Sequence, residues 1–423
     1  LSTWPSLAVK SRASVFRYKG REVDPQRAGE ELGVRAVLTG RVAQRGDALT
    51  VSVELVDVRR NNQVWGAQYN RRLSDILALQ DEIARDISDN LRTRLTGEAP
   101  PVVKQHTQNT EAYRLYLQGR FHENKETHEG VRKAVEHFNQ AIALDPNYAL
   151  AHAGLANAYV TATDWFFQPK ESLPRAKAAA ERALQLDDSL AEAHHSMALV
   201  RMFYDRDWAA AENECRRAIE LAPGFASAHE MYAELLAMNG RHEESVAAAT
   251  RARELDPLSA DGAVALSDAF YYSRQYERAA EELRRVIEIE PGHVTSRLNL
   301  AVTLSLTGRH DESIELLRKA RRLDDGPDVL AYLAYAYAAA GRRADARRAL
   351  NELTRGDWYV SPFYLAMVHA GLGDTERAFA SLERAVEEQA MMLSFLKVEP
   401  VFDPLRPDPR FDAILRRVNL KPN

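Results

Sequence analysis

Residues 240–245, Gly-Arg-His-Glu-Glu-Ser, and residues 308–313, Gly-Arg-His-Asp-Glu-Ser, are near copies 68 positions apart. A histidine beside two carboxylates, behind a glycine and an arginine, supplies donors that suit a divalent metal or a phosphate, so the box reads at first as a duplicated site. The other reactive groups argue against chemistry. The chain has 12 histidines, and His242 and His310 fill the position that Tyr276 fills between them, which packing explains. The single cysteine, Cys215, excludes an internal disulfide framework and a cysteine zinc cage. It sits among small residues on a helical pattern with no local base, as an inert buried thiol does. Phosphate-cradling glycine loops, His-Glu-x-x-His, Gly-x-Ser-x-Gly and the kinase catalytic-loop and Asp-Phe-Gly signatures are all missing from the sequence. No catalytic, cofactor-binding or metal-ligating residue is therefore assigned.

The elements that carry the boxes explain them. Sliding the chain by 34 places Ser273-Arg274-Gln275-Tyr276 between the two boxes, and Gly341-Arg342 and Gly373-Asp374 continue the series. Pro223, Pro257 and Pro291 keep the same interval. A helix-period apolar pattern runs up to each Gly-Arg corner and another runs down to each proline. Glycine supplies the corner because it accepts positive φ, and proline ends the second helix. Each unit is helix, tight turn, helix, stop, and the box is its turn.

Ala134, Phe138 and Pro146 in "AVEHFNQAIALDP", together with "LANAY" (155–159) and "LAYAYAAAG" (333–341), resemble the tetratricopeptide repeat family. The resemblance covers about 110–390, in eight units. His152, His194 and His229 fall where that repeat places a large packing aromatic. In such stacks the concave face, lined by first helices, is the reactive surface. Residues one helical turn apart on it are His195, Glu230, Glu234, Asp261, Asp268, Tyr271, Tyr335 and Met367. This set is acidic and aromatic, either as a solvated helix surface or as a cleft for a protein or peptide with a basic or mixed apolar segment. Trp165, Phe166 and Phe167, in an insertion of the second unit, are either local packing or a hydrophobic partner contact. Residues 391–423, with an Asp408-Pro409 helix start and Phe411, Ile414 and Leu415 on one face, read as a cap on the last unit.

Residues 1–97 are of another kind. Strand patterns at 7–18, 34–44, 48–58 and 62–70 surround a short helix opened by Asp24-Pro25 and closed by Gly33. A longer helix begins at Ser74, with Ile76, Leu79, Ile83, Ile87 and Leu91 on one face. Arg45-Gly46-Asp47 is hairpin-turn chemistry. The fold class expected is thus a small α/β domain, a linker over 98–109, an all-α solenoid over 110–390 and the terminal cap. The segments "SRASVFRYKGREVDP", "LGVRAVLTGRV" and "LVDVRRNNQVWGAQY" resemble the TolB-like domain of bacterial signalling proteins. That resemblance implies a further strand and helix ahead of Leu1. It also implies an upstream effector, namely a Ser/Thr kinase, a winged-helix DNA-binding domain or a nucleotide cyclase; the wording is most similar to the kinase-associated branch. A net charge of −5 gives no electrostatic basis for nucleic acid, and no apolar run is long enough to span a membrane. The function expected is a non-catalytic interaction and sensing region, with the compartment left open.

Overall fold

The computed structural model describes residues 10, 15, 18–20, 23–72, 78–79, 82–83, 86–87, 106–123, 128–163, 167–257 and 259–421. Most of the expected strand at 7–18, much of the helix begun at Ser74, and Trp165 and Phe166 lie outside the described residues.

Helix α1 (Pro25–Leu32) starts on Asp24, whose side chain accepts from the Gln26 amide, and ends at Gly33 with φ 63°. It leads into an antiparallel sheet of β1 (Ala36–Arg45), β2 (Ala48–Asp57) and β3 (Asn62–Arg72), in that spatial order. The β1–β2 turn is made by Gly46, at φ 59°, and Asp47, with Ala48 paired to Arg45. One face buries Leu49, Val53, Leu55 and Tyr69 against Leu79, Ile83 and Ile87. The other face takes α1, and a Cβ on Gly29 would meet Val58 Cγ2 at 2.2 Å. Glycine is needed there for the helix to approach.

Eight helix pairs follow: α2 (Thr110–Glu123) and α3 (His128–Leu144); α4 (Ala149–Thr161) and α5 (Pro169–Leu186); α6 (Ala191–Val200) and α7 (Trp208–Leu221); α8 (Ala226–Met238) and α9 (His242–Leu255). They continue with α10 (Ala260–Tyr272) and α11 (Tyr276–Ile289); α12 (Val294–Leu306) and α13 (His310–Ala320); α14 (Pro327–Ala339) and α15 (Arg343–Arg355); α16 (Pro362–Gly371) and α17 (Thr375–Glu388). Each pair packs on itself, and first helices of neighbouring pairs meet along most of the row, so the even-numbered helices line one face. No helix among the described residues is long and apolar enough to cross a membrane. The expected fold class, a small sheet domain followed by a helical repeat, is the one found.

The glycine, arginine and serine of each duplicated box have structural roles. Gly240 and Gly308 hold φ values of 77° and 79°. Arg241 pairs with Glu244, and Arg309 with Glu312. Ser245 and Ser313, both buried, donate back across the pair to the carbonyls of Ala233 and Ala301 at 2.8 and 2.7 Å. The recurring histidines act locally too: one ring nitrogen of His152, His194 and His229 lies 3.1, 2.8 and 3.1 Å from the carbonyl six residues earlier. Cys215 is fully buried, and burial pushes its thiol up. Phe138 fits into the clearance left by Gly119 and Gly154, where a Cβ would lie 2.6 and 2.8 Å from its ring.

The carboxy-terminal segment does more than cap. After α17 the chain turns at Gln389, φ 60°, and forms 3-10 turns at Met391–Phe395 and Pro400–Leu405 before α18 (Pro409–Arg417). Helix α18 does pack on α17, with Arg410 paired to Glu376 at 2.9 Å. The preceding stretch leaves the end of the stack and returns to the third pair. There the Ser394 hydroxyl reaches the Met202 carbonyl at 3.4 Å, and beyond α18 the Asn419 carbonyl accepts from Trp208 Nε1 at 2.6 Å. The row of pairs is therefore curved, with its first-helix face inward.

Candidate functional site

The inner face divides into a covered half and an open half. On the fifth, seventh and eighth pairs the expected face residues are buried: Tyr271, Tyr335 and Met367 are 6%, 5% and 3% exposed. They do not line a groove, because the tail occupies it. Phe395 stacks on Tyr272, ring centroids 5.3 Å apart, and Phe402 meets Phe363 edge-on at 5.2 Å. The Tyr271 hydroxyl donates to Glu399 Oε1 at 2.6 Å. Glu399 is itself 8% exposed. Burial raises its carboxyl to about 7, with the Tyr271 and Val401 hydrogen bonds and Arg274 opposing the rise.

The open half belongs to the first four pairs. Helix α2 contributes Arg120 and Glu123, α4 contributes Asn157, α6 contributes Glu192 and His195, and α8 contributes Glu230 and Glu234. All are partly exposed. Asn157 Nδ2 donates to Glu123 Oε1 at 2.6 Å, and Arg120 Nε lies 3.3 Å from Glu123 Oε2. Asn157 Oδ1 is buried and accepts no hydrogen bond among the described residues. His195 sits against Phe225, ring centroids 5.3 Å apart. Burial, and then the positive Arg120, lower its imidazole to about 4, so it is neutral at physiological pH.

The acids are less charged than their letters suggest. Burial raises Glu230 to about 8, with Asp261 and Asp256 adding repulsion, and burial alone raises Glu234 to about 7. Asp268, on α10 beside the tail, is pushed well up by burial and by the charges of Glu234 and Glu399, while Asn299 donates to it at 3.1 Å. Asp261 alone of the predicted acids is exposed. Near neutral pH Glu230 and Glu234 are therefore only partly ionised, and the charge of this face depends on pH.

Phe167, from the aromatic insertion, is partly buried and packs on Tyr159 at 6.1 Å between ring centroids. Its amide donates to the Ala162 carbonyl at 3.0 Å. Among the described residues no group of three or more His, Cys, Asp or Glu side chains is placed to hold a metal ion.

Sequence reasoning named His195, Glu230 and Glu234 but missed Arg120, Glu123, Asn157 and Glu192, which complete the same face on earlier pairs. The signal was the register itself: counting one helical turn at a time from α8 back through α6 and α4 to α2 reaches them.

Family models agree with the helical-repeat architecture. The tetratricopeptide repeat family model matches residues 202–260 and 264–327, and a second tetratricopeptide repeat model matches 131–161. The helical region is of the tetratricopeptide-repeat type. A protein named "Putative adenylate cyclase 3" of Rhizobium meliloti (strain 1021) is 31% identical over 202 residues, which is 47% of this chain and 34% of that protein. The chain thus spans about a third of the length of that curated relative. Among solved structures, a tetratricopeptide repeat protein from Parabacteroides merdae is 12% identical with a TM-score of 0.42, covering 63% of this chain and 98% of its own. The repeat protein YrrB, described as having an unusual peptide-binding site, is 21% identical with a TM-score of 0.30, covering 45% of this chain and 94% of its own.

Proposed function

We propose that this chain is a non-catalytic protein-interaction region that receives an extended segment of a partner on the inner face of its first four helix pairs. The observation that carries the proposal is the recessed polar row Arg120, Asn157, His195, Glu230 and Glu234, partly exposed while the later inner face is filled. A peptide backbone has the matching chemistry: amide donors for Asn157 Oδ1 and carbonyl acceptors for protonated Glu230 and Glu234. Basic side chains on the partner would lie toward Glu192 and the exposed Asp261, where charge sets association rate more than affinity.

The test is selection of peptides from a random displayed library on the intact chain, followed by hydrogen-exchange mapping. Protection should fall on α2, α4, α6 and α8, and Asn157→Ala should weaken binding roughly tenfold, equivalent to about 1.4 kcal/mol. Selected peptides that protect only second helices or the sheet would sink the proposal.

At the level of the whole protein, the TolB-like resemblance of residues 1–97 supports a regulatory region coupled to an effector domain of a bacterial signalling protein. Among the effectors that the resemblance implies, a nucleotide cyclase is favoured over a kinase or a DNA-binding domain by the name of the relative. Measuring cyclic AMP synthesis and autophosphorylation by the full-length gene product, with and without a selected peptide, discriminates these readings.

A further inference from the structure

Among the described residues, six corners between the helices of a pair place one residue in the left-handed region. At four of them it is glycine: Gly240, Gly308, Gly341 and Gly373. At the third and fifth pairs it is arginine, Arg206 at φ 51° and Arg274 at φ 65°. A side chain other than glycine costs free energy there, so these two substitutions call for a compensating contact. Both arginines reach the same segment. Arg206 Nη2 donates to the Ala390 carbonyl at 2.9 Å, and the Arg206 carbonyl accepts from Asn419 Nδ2 at 2.8 Å. Arg274 Nη2 binds Asp403 Oδ1 at 2.9 Å.

Between these two anchor points the tail is buried as a core is buried. Leu393, Leu396 and Phe402 are fully enclosed, and Phe395 lies between Tyr272 of the fifth pair and Phe203 of the third. Glu399 meets Tyr271 within that layer. The contacts span the third, fifth and eighth pairs, which a nearest-neighbour stack would leave independent.

We propose that residues 390–421 are a built-in ligand of the repeat region, clasped by Arg206 and Arg274, which occupies the inner face of the later pairs and joins the third pair to the eighth as one cooperative body. The clasp is a fixed part of the fold. A partner carrying one short motif cannot replace so many enclosed apolar side chains, so this inner face takes its own tail and leaves foreign segments to the earlier pairs. The inference concerns the tail alone and stands whether or not the open half binds a partner.

The experiment is hydrogen exchange on the full chain, comparing Arg206→Gly, Arg274→Gly and the control Gly308→Arg. Glycine at the two arginine corners removes backbone strain together with the guanidinium contact to the tail and keeps the residue-206 carbonyl that accepts from Asn419, so a loosened tail cannot be blamed on a broken corner. Arg206→Gly should raise exchange about tenfold, or about 1.4 kcal/mol in opening free energy, at 390–396 and at the turn 201–205. Arg274→Gly should do so at 399–405 and at the end of α10. Gly308→Arg should disturb only α12 and α13. Phe395→Ala supplies a second readout, because its loss should loosen the tail and the third pair together. If the glycine variants leave tail exchange unchanged, or if Phe395→Ala loosens the tail without the third pair, the segment is an end cap and the proposal falls.

Discussion

Replacing Glu399 by glutamine isolates the electrostatics of the buried tail. Glu399 accepts from the Tyr271 hydroxyl at 2.6 Å and from the Val401 amide at 3.3 Å. The ionisable groups that feel its charge are Tyr271, Tyr272, Tyr332, Tyr335 and Asp268, and Arg274 and Asp403 act on it in turn. Burial is the largest influence and lifts the carboxyl from 4.5 to about 7. The folded chain therefore holds this proton more tightly than the unfolded chain does. The stability that results is fully present below 4.5 and is lost as pH rises through about 7. That interval corresponds to about 3 kcal/mol. Glutamine keeps an oxygen for both donors and cannot ionise. With an allowance of about 1 kcal/mol for weaker hydrogen bonds, E399Q should exceed the wild type by about 2 kcal/mol at about pH 8 and match it within about 1 kcal/mol at about pH 5. Urea unfolding of both proteins across this range is the assay. Glu230 and Glu234 shift in the same direction and His195 in the opposite one, but all three are common to both proteins and drop out of the difference. Asp268, repelled by Glu399, should ionise more readily in the variant. Parallel pH curves, or a loss of stability at both ends of the range, would refute the reasoning.

Gly119→Ala and Gly154→Ala should each destabilise by about 1–3 kcal/mol in urea unfolding despite better helix propensity, because the new methyl would press on the Phe138 ring. Ser245→Ala and Ser313→Ala should each cost about 1 kcal/mol, since the carbonyls of Ala233 and Ala301 lose buried donors. Cys215 should resist thiol reagents in the native state and react fully in denaturant; rapid native labelling would contradict its burial. A basic peptide selected on the open face should associate faster as pH rises from about 6 to about 8, because Glu234 ionises through about 7. Stopped-flow mixing reads that rate, and Glu234→Gln should reduce its pH dependence to the part due to Glu230, which ionises through about 8.

The helical fold was legible because each unit repeats its own instructions. A 34-residue register, a left-handed glycine and a terminating proline agree at successive units, and eight weak signals in one frame exclude other architectures. The sheet was legible in β2, where apolar and polar residues alternate, and in the Gly46-Asp47 turn. Local patterns of this kind carry no information about contacts between residues 200 apart. The path of the tail depends on the Arg206 and Trp208 contacts with residues 390 and 419, and nothing in the helix-like pattern at 409–417 distinguishes an end cap from a strap.

The site was half legible for a related reason. Periodicity assigns residues to a face but does not say whether that face meets water. Tyr271, Tyr335 and Met367 are on the inner face as expected, and they are buried because something else from the same chain is there. The trace of that arrangement was present in the register: "YDRDW" and "YSRQY" place arginine where the other corners place glycine. Placing an arginine in the left-handed region is disfavoured unless its side chain or its carbonyl earns a contact, and the two exceptions mark the two places where the tail is held. The charge state of the acids depends on the same point. A count of Glu230, Glu234 and Asp268 predicts negative potential only if each is solvated. Burial raises all three, so the charge of this face is set by pH.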